Sequence, residues 1–137
     1  MSGHFIGGLC LRSWSAQEID AAGYDHAYYT LVEPLSYQSD RFGLITAPAG
    51  LVTDFASIPK AAWGILDPES PLIQWPSVIH DAGYSNVGAF STITLGREQV
   101  DWLLRDMMES CGADSFLRNA VYDAVRIGGA SHWINHS

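Results

Sequence analysis

One stripe of apolar residues constrains the fold of this chain more than any other feature. Val100, Leu103, Leu104, Met107, Met108 and Cys111 recur at the i, i+3, i+4, i+7 spacing that puts side chains on one face of an α-helix. The spacing predicts an amphipathic helix from about Gly96 to Cys111, with Gly112 as its C-terminal stop. Such a helix buries one face, so the rest of the chain must supply the layer that covers it.

The chain changes character near residue 57. From Phe5 to about Phe55 it is rich in Gly, Tyr, Ser, Thr and β-branched residues, with turn signals at Gly7-Gly8, Gly23, Pro34, Ser39-Asp40 and Pro48-Ala49-Gly50. This half reads as short antiparallel strands, the best of them Ala27 to Val32 and Phe42 to Thr46, with a tight turn leading into Leu51-Val52-Thr53. Beyond it the signals are helical. Ser57 before Pro59 fits a helix start, and that segment runs to Leu66 before the turn-rich Asp67 to Pro71. A helix is predicted from Pro76, a residue tolerated in a first turn, to Tyr84. A polar loop follows from Ser85 to Thr94, and Ser115 caps a last helix from Phe116 to about Ile127. Gly128-Gly129 then permits a bend or a close helix approach. The expected fold is α+β: an N-terminal antiparallel β-sheet followed by three or four packed α-helices, in one domain spanning residues 1–137.

Composition excludes several classes of function. The chain has no run of about 18 apolar residues, and Met1-Ser2-Gly3-His4 does not begin a signal peptide, so neither a membrane span nor a cleavable leader is expected. Seven Lys and Arg against fifteen Asp and Glu give a formal net charge of −8, which repels phosphate backbones and makes nucleic acid a poor partner. Cys10 and Cys111 have no CxxC or Cys/His ligand spacing and read as two buried free thiols.

The residues with chemical potential lie at the junction of two predicted helices. His80 and Tyr84 are four apart and share a helix face, and Asp81 lies one position round. On the next helix Asp101 sits at the margin of the apolar stripe, so antiparallel packing lets it face the imidazole. A carboxylate bonded to one imidazole nitrogen fixes the tautomer and leaves the other nitrogen to take a proton from water. A hard cation on Asp81 would polarise the bond under attack. Against this stands a plain reading, in which Asp101 forms ordinary surface ion pairs with Arg97 and Arg105, each four residues away.

A second constellation is Thr53 to Pro59. Asp54 and Ser57 there either bond to the backbone of a turn or, for Asp54, bring a second carboxylate over His80. His132 and His136 have the spacing of a metal pair but fall in a glycine-preceded tail. Trp63, Trp75, Trp102 and Trp133 read as packing residues, with Trp102 pointing outward. There is no GxSxG nucleophile turn, no Walker-type loop and no GxGxxG.

The run Ile45 to Pro59, then His80-Asp81 with Tyr84, then Asp101, then Tyr122 to Arg126 with Gly128-Gly129, resembles domain-of-unknown-function family 1353 of phages and prophages. The resemblance spans roughly residues 28 to 133 and marks Asp54, His80, Asp81, Tyr84, Asp101 and Arg126 as pattern positions. Gly83 departs from it, standing where a bulky residue is more usual, and a mid-helix glycine costs about 1 kcal/mol, so the helix has a reason to end there. A more local likeness is to the His-Asp-x-x-Tyr helix of secreted phospholipases A2. It implies His80 as base, Asp81 as calcium ligand, Asp101 as orienting carboxylate and Tyr84 as support. The departures are Val78 and Ile79 where cysteines would flank the motif, and the lack of a glycine-rich calcium loop before it.

Together these readings lead to the expectation of a phage-encoded, metal-assisted hydrolase acting on an ester or amide bond of the host envelope. Its catalytic residues are His80, Asp101 and Tyr84, and Asp81 and Asp54 hold a divalent metal, calcium or zinc. The alternative is a virion protein of tail or assembly, with other virion proteins as partners, in which the cluster is a structural network. Either would act in the phage particle or the infected bacterial cell. The two differ in one observable: a catalytic His80 is reachable by water, whereas a network buries it with its nitrogens satisfied. A third reading, an inhibitor whose charge imitates nucleic acid, calls for a contiguous acidic surface, and the acids are scattered along the chain.

Overall fold

A computed structural model describes residues 3–55, 58, 70–85 and 90–133. In chain order the elements are β1 (Gly3–Ile6), β2 (Leu11–Ser13), α1 (Ala16–Ala21), β3 (Tyr29–Leu31), β4 (Leu35–Ser39), β5 (Gly43–Ala47), β6 (Val52–Thr53), α2 (Pro71–Tyr84), α3 (Arg97–Ser110) and α4 (Ser115–Gly128), closed by a short 3-10 turn at Ala130–His132. The fold is α+β. The predicted helix start at Ser57-Pro59 and its run to Leu66 lie outside the described residues.

The N-terminal half forms two three-stranded antiparallel sheets where one was expected, in the orders β1-β4-β5 and β2-β3-β6. Strand β4 alternates inward Leu35, Tyr37 and Ser39 with half-buried neighbours, and its register sets Tyr37 opposite Ile45 and Leu35 opposite Ala47. The inward faces of the two strands therefore coincide, and a slip of one residue would turn every one of them to water. The strand predicted from Ala27 shortens to Tyr29–Leu31, and the one predicted from Phe42 shifts to Gly43–Ala47.

Helix α1 was not expected within the strand-rich half. Its signal is nonetheless in the sequence: Ser15 Oγ accepts from the Glu18 amide at 3.1 Å, and the Glu18 carboxylate accepts from the Ser15 amide at 2.9 Å, a complete capping box.

Helix α2 starts earlier than predicted. Ser70 caps it by accepting from the Leu72 amide, and Pro71 occupies its first turn. Pro76 thus lies inside the helix, where its missing N–H leaves the Leu72 carbonyl without a helical donor. Nor does α2 end at Gly83. A Cβ built there would lie 2.8 Å from Val100 Cγ1 and 2.9 Å from Phe90 Cζ, so glycine is what lets α2 approach α3 and the Phe90 loop so closely.

Helix α3 carries the apolar stripe as predicted, with Val100, Leu103, Leu104, Met107 and Met108 buried and Gly112 at φ +96 past its end. It packs on α2, α4, β1 and β4, which makes it the central element of the helical layer. Val100, Leu103 and Met107 join the sheets and α2 in one core, while Leu104 and Met108 join Ile73, Val121 and Val125 in a second. Helix α4 is capped by Asp114, whose carboxylate accepts from the Leu117 amide at 2.8 Å, and not by Ser115. Two further corrections concern single side chains. Cys10 is exposed and Cys111 only partly buried, so they are not two buried thiols. Trp102 is half-buried and not outward, because its indole N–H donates to Tyr122 Oη on α4 at 2.8 Å. Among the described residues no helix is long and apolar enough to cross a membrane.

Candidate functional site

The facing surfaces of α2, α3 and α4 meet at Asp101. Four residues separate His80 from Tyr84, so both side chains project from one face of α2, with ring centroids 4.3 Å apart. Asp101 Oδ1 accepts from His80 Nε2 at 2.7 Å and from Tyr84 Oη at 2.7 Å. Its other oxygen, Oδ2, accepts from Arg126 Nη1 at 2.8 Å, and Arg97 Nη1 stands 3.8 Å from it. An ionised carboxylate offers about four lone-pair sites, and this one meets donors from three helices.

Burial is extreme. His80 and Asp101 are 0% exposed and Tyr84 is 1% exposed. Among the described residues, no buried side-chain nitrogen or oxygen lacks a hydrogen-bond partner. Burial by itself pushes the Asp101 carboxyl upward, but the hydrogen bonds and charge of His80, with those from Tyr84 and Arg126, outweigh it and hold the group below the ordinary aspartate value. The Tyr84 hydroxyl is pushed well above the usual tyrosine range by burial and then by the Asp101 carboxylate it bonds. Arg126, through the same contact, is raised as well.

The surroundings lock these residues in place. Arg97 reaches past the cluster to the end of α4, donating to the Val125 carbonyl at 3.1 Å and the Arg126 carbonyl at 3.2 Å. The Val125 carbonyl also accepts from the Gly129 amide at 2.9 Å, so Arg97 adds a second donor there and ties α3 to the end of α4. Gly129 makes this approach possible, since a Cβ there would lie 2.5 Å from the Val125 carbonyl oxygen and 2.8 Å from Tyr84 Oη. Trp133 closes the far side, edge-on to Tyr84 with centroids 5.2 Å apart.

Of the residues singled out from sequence, His80, Tyr84 and Asp101 are thus brought together. Arg126, a pattern position without an assigned role, joins them. Arg97 does pair with Asp101, though in the interior and not at the surface, while Arg105 places its guanidinium over the Tyr122 ring at 4.5 Å. Asp81 is 9% exposed on the same helix. Asp54 accepts a hydrogen bond at 2.7 Å from Nε2 of His26, whose Nδ1 lies 2.7 Å from Asp25 Oδ1. Sequence reasoning missed His26, and no local spacing could have found it, since 28 residues separate it from Asp54. In the turn after β6, Thr53 Oγ1 accepts from the Phe55 amide at 3.0 Å, and Phe55 adopts φ +62, a left-handed conformation strained for an aromatic residue. Among the described residues no group of three or more His, Cys, Asp or Glu is placed to hold a metal ion. His132 is exposed in the final turn, and His136 lies outside the described residues.

Chemically, the cluster combines a fixed imidazole orientation with a carboxylate whose charge is already countered. Orientation suits a base. The countered carboxylate suits a structural tie, with Arg126 Nη1 at 2.8 Å and Arg97 Nη1 at 3.8 Å from Oδ2.

No curated protein and no solved structure matches the chain. The family model for proteins of unknown function named DUF1353 matches residues 29–125, a span that runs from β3 into α4 and holds His80, Tyr84, Arg97 and Asp101, and the chain belongs to that family.

Proposed function

We propose that the Asp101 cluster is a structural hub and that the protein is a non-catalytic component of a phage particle or of its assembly. The observation that carries this is the complete burial of His80 and Asp101 with Arg126 on the second carboxylate oxygen. A water-activating base needs water at its free nitrogen and a carboxylate able to stabilise the imidazolium that forms. Here the carboxylate instead ties α2, α3 and α4 together. The phage setting rests on the family resemblance.

A second reading, a hydrolase of a host-envelope ester or amide, is favoured by the 2.7 Å His80–Asp101 hydrogen bond and the Tyr84 hydroxyl on the same oxygen. That is the orientation of a general base held by a carboxylate. The reading calls for a divalent metal on Asp81 and Asp54, which would take its remaining oxygen ligands from carbonyls, substrate or water.

One experiment separates the two. Wild type and His80→Ala are assayed on phospholipid vesicles and on peptidoglycan, with calcium, zinc or magnesium added, and purified particles are analysed for the protein by mass spectrometry. The hub reading expects no turnover by either form and the protein in particles or assembly intermediates. Turnover by wild type that disappears in a folded His80→Ala variant would overturn it.

A further inference from the structure

Away from the Asp101 cluster, the segment between α1 and β3 gathers aromatic side chains near the surface. Tyr24 stacks on Tyr28 with ring centroids 4.2 Å apart and planes 17° apart, and Trp14 lies against both at 6.1 and 5.5 Å. His26 packs on Tyr28 at 4.9 Å, tilted by 31°. Tyr24 remains 44% exposed although Tyr28 covers one of its faces.

The group is held rigidly. Trp14 Nε1 donates to Thr30 Oγ1 at 2.8 Å, which fixes the indole on β3, and the Trp14 amide donates to the Tyr28 carbonyl at 3.0 Å. The Tyr24 amide donates to the Ile19 carbonyl at 3.0 Å, anchoring it to the end of α1, and Gly23 at φ +79 makes the turn between them. Nothing in the interior requires this stack, since the rings lie outside both core clusters. A preordered aromatic surface binds with little loss of side-chain freedom.

The geometry of the rings selects the ligand. A cage for a quaternary ammonium, or a slot for an inserted ring, needs two aromatic faces about 7 Å apart, twice the usual carbon–carbon contact. These rings lie against one another and leave no such gap, so they offer a platform that a ligand can only cover. A nucleobase could lie on it, but Asp25, 95% exposed beside His26, would repel the attached phosphates, as would the net charge of −8. A sugar ring suits both parts: its C–H face lies on the aromatic surface, and its hydroxyls donate to the Asp25 carboxylate at the rim, which His26 holds in place at 2.7 Å. We propose that Tyr24, stacked on Tyr28 and Trp14 beside Asp25 and His26, is the platform of a binding site for a neutral pyranose ring of a glycan.

The full chain is titrated with chitohexaose, cellohexaose and maltohexaose, followed by tryptophan fluorescence and by amide shifts of residues 14–30. Tetramethylammonium, oligo-dT and oligolysine are run in parallel. The proposal expects saturable binding of at least one neutral oligosaccharide, insensitive to salt, and about tenfold weaker in Tyr24→Ala, the loss of one stacking ring. Tyr24→Phe, which keeps the ring, retains binding. Circular dichroism verifies that both variants are folded. The proposal is overturned if no oligosaccharide binds, if only tetramethylammonium, oligo-dT or oligolysine does, or if Tyr24→Ala binds as tightly as wild type.

Discussion

His80 Nε2 donates to Asp101 Oδ1 across 2.7 Å with both side chains wholly out of water, and Asp101 accepts from Tyr84 and Arg126 as well. Removing the carboxylate leaves three donors facing an apolar gap. Asp101→Ala is therefore expected to destabilise the fold by about 3–5 kcal/mol, the range for breaking a buried ionic network on one side. Urea denaturation followed by circular dichroism measures it. A loss below about 1 kcal/mol, typical of an exposed pair, would mean that the cluster does not hold the helices together.

The same carboxylate sets an acid limit on stability. Its folded-state pKa lies below the ordinary 3.8, so the unfolded chain takes up a proton first as pH falls. By linkage, the stabilisation is fully present above the ordinary value and is lost as pH drops through the lower folded value. Glu18, held at about 2 by its hydrogen bonds from Arg12, acts in the same window from the surface. The urea midpoint of wild type should fall on acidification below pH 4, and Asp101→Asn should flatten that fall more than Glu18→Gln does. Equal slopes for wild type and Asp101→Asn would contradict the assignment.

How far this fold was legible depended on whether its signals were periodic and local. The α3 stripe was readable because an apolar face repeats over four turns, and the meeting of His80, Tyr84 and Asp101 followed from two helix faces and a connecting loop. The early start of α2 was hidden because Pro76 reads as a first-turn residue, although Ser70-Pro71 is the stronger signal. Helix α1 is short and buries no residue fully, so only its capping box betrays it. Arg126 on Asp101 and His26 on Asp54 are contacts over 25 and 28 residues, set by packing and invisible to spacing. Gly83 looked like a helix end because its backbone cost is local, whereas its benefit, room for Val100 and Phe90, is tertiary.

Gly83→Ala tests that benefit directly. Helix propensity alone would favour alanine by about 1 kcal/mol. The added methyl would meet Val100 Cγ1 at 2.8 Å and the Phe90 ring at 2.9 Å, both of them buried. Overpacking of this kind costs about 1–3 kcal/mol, so the net change is expected to be destabilising. A variant with a higher thermal midpoint than wild type would show that α2 and α3 yield without strain.

The two cysteines should differ in reactivity. Burial raises the Cys111 thiol to about 11, so at pH 8 only about one in a thousand is the nucleophilic thiolate. It is also the C-terminal cap of α3, its amide donating to the Met107 carbonyl at 3.0 Å, and it is partly buried, so reagent reaches it more slowly than an exposed thiol. Cys10 is exposed. Treatment of the folded protein with a chromogenic disulfide reagent should release a single fast equivalent, absent from Cys10→Ser, and a second slow one that becomes fast in denaturant. Two fast equivalents would mean that the α3 terminus opens readily, and with it the contact that Ser110 makes to Tyr37 of β4 at 2.6 Å.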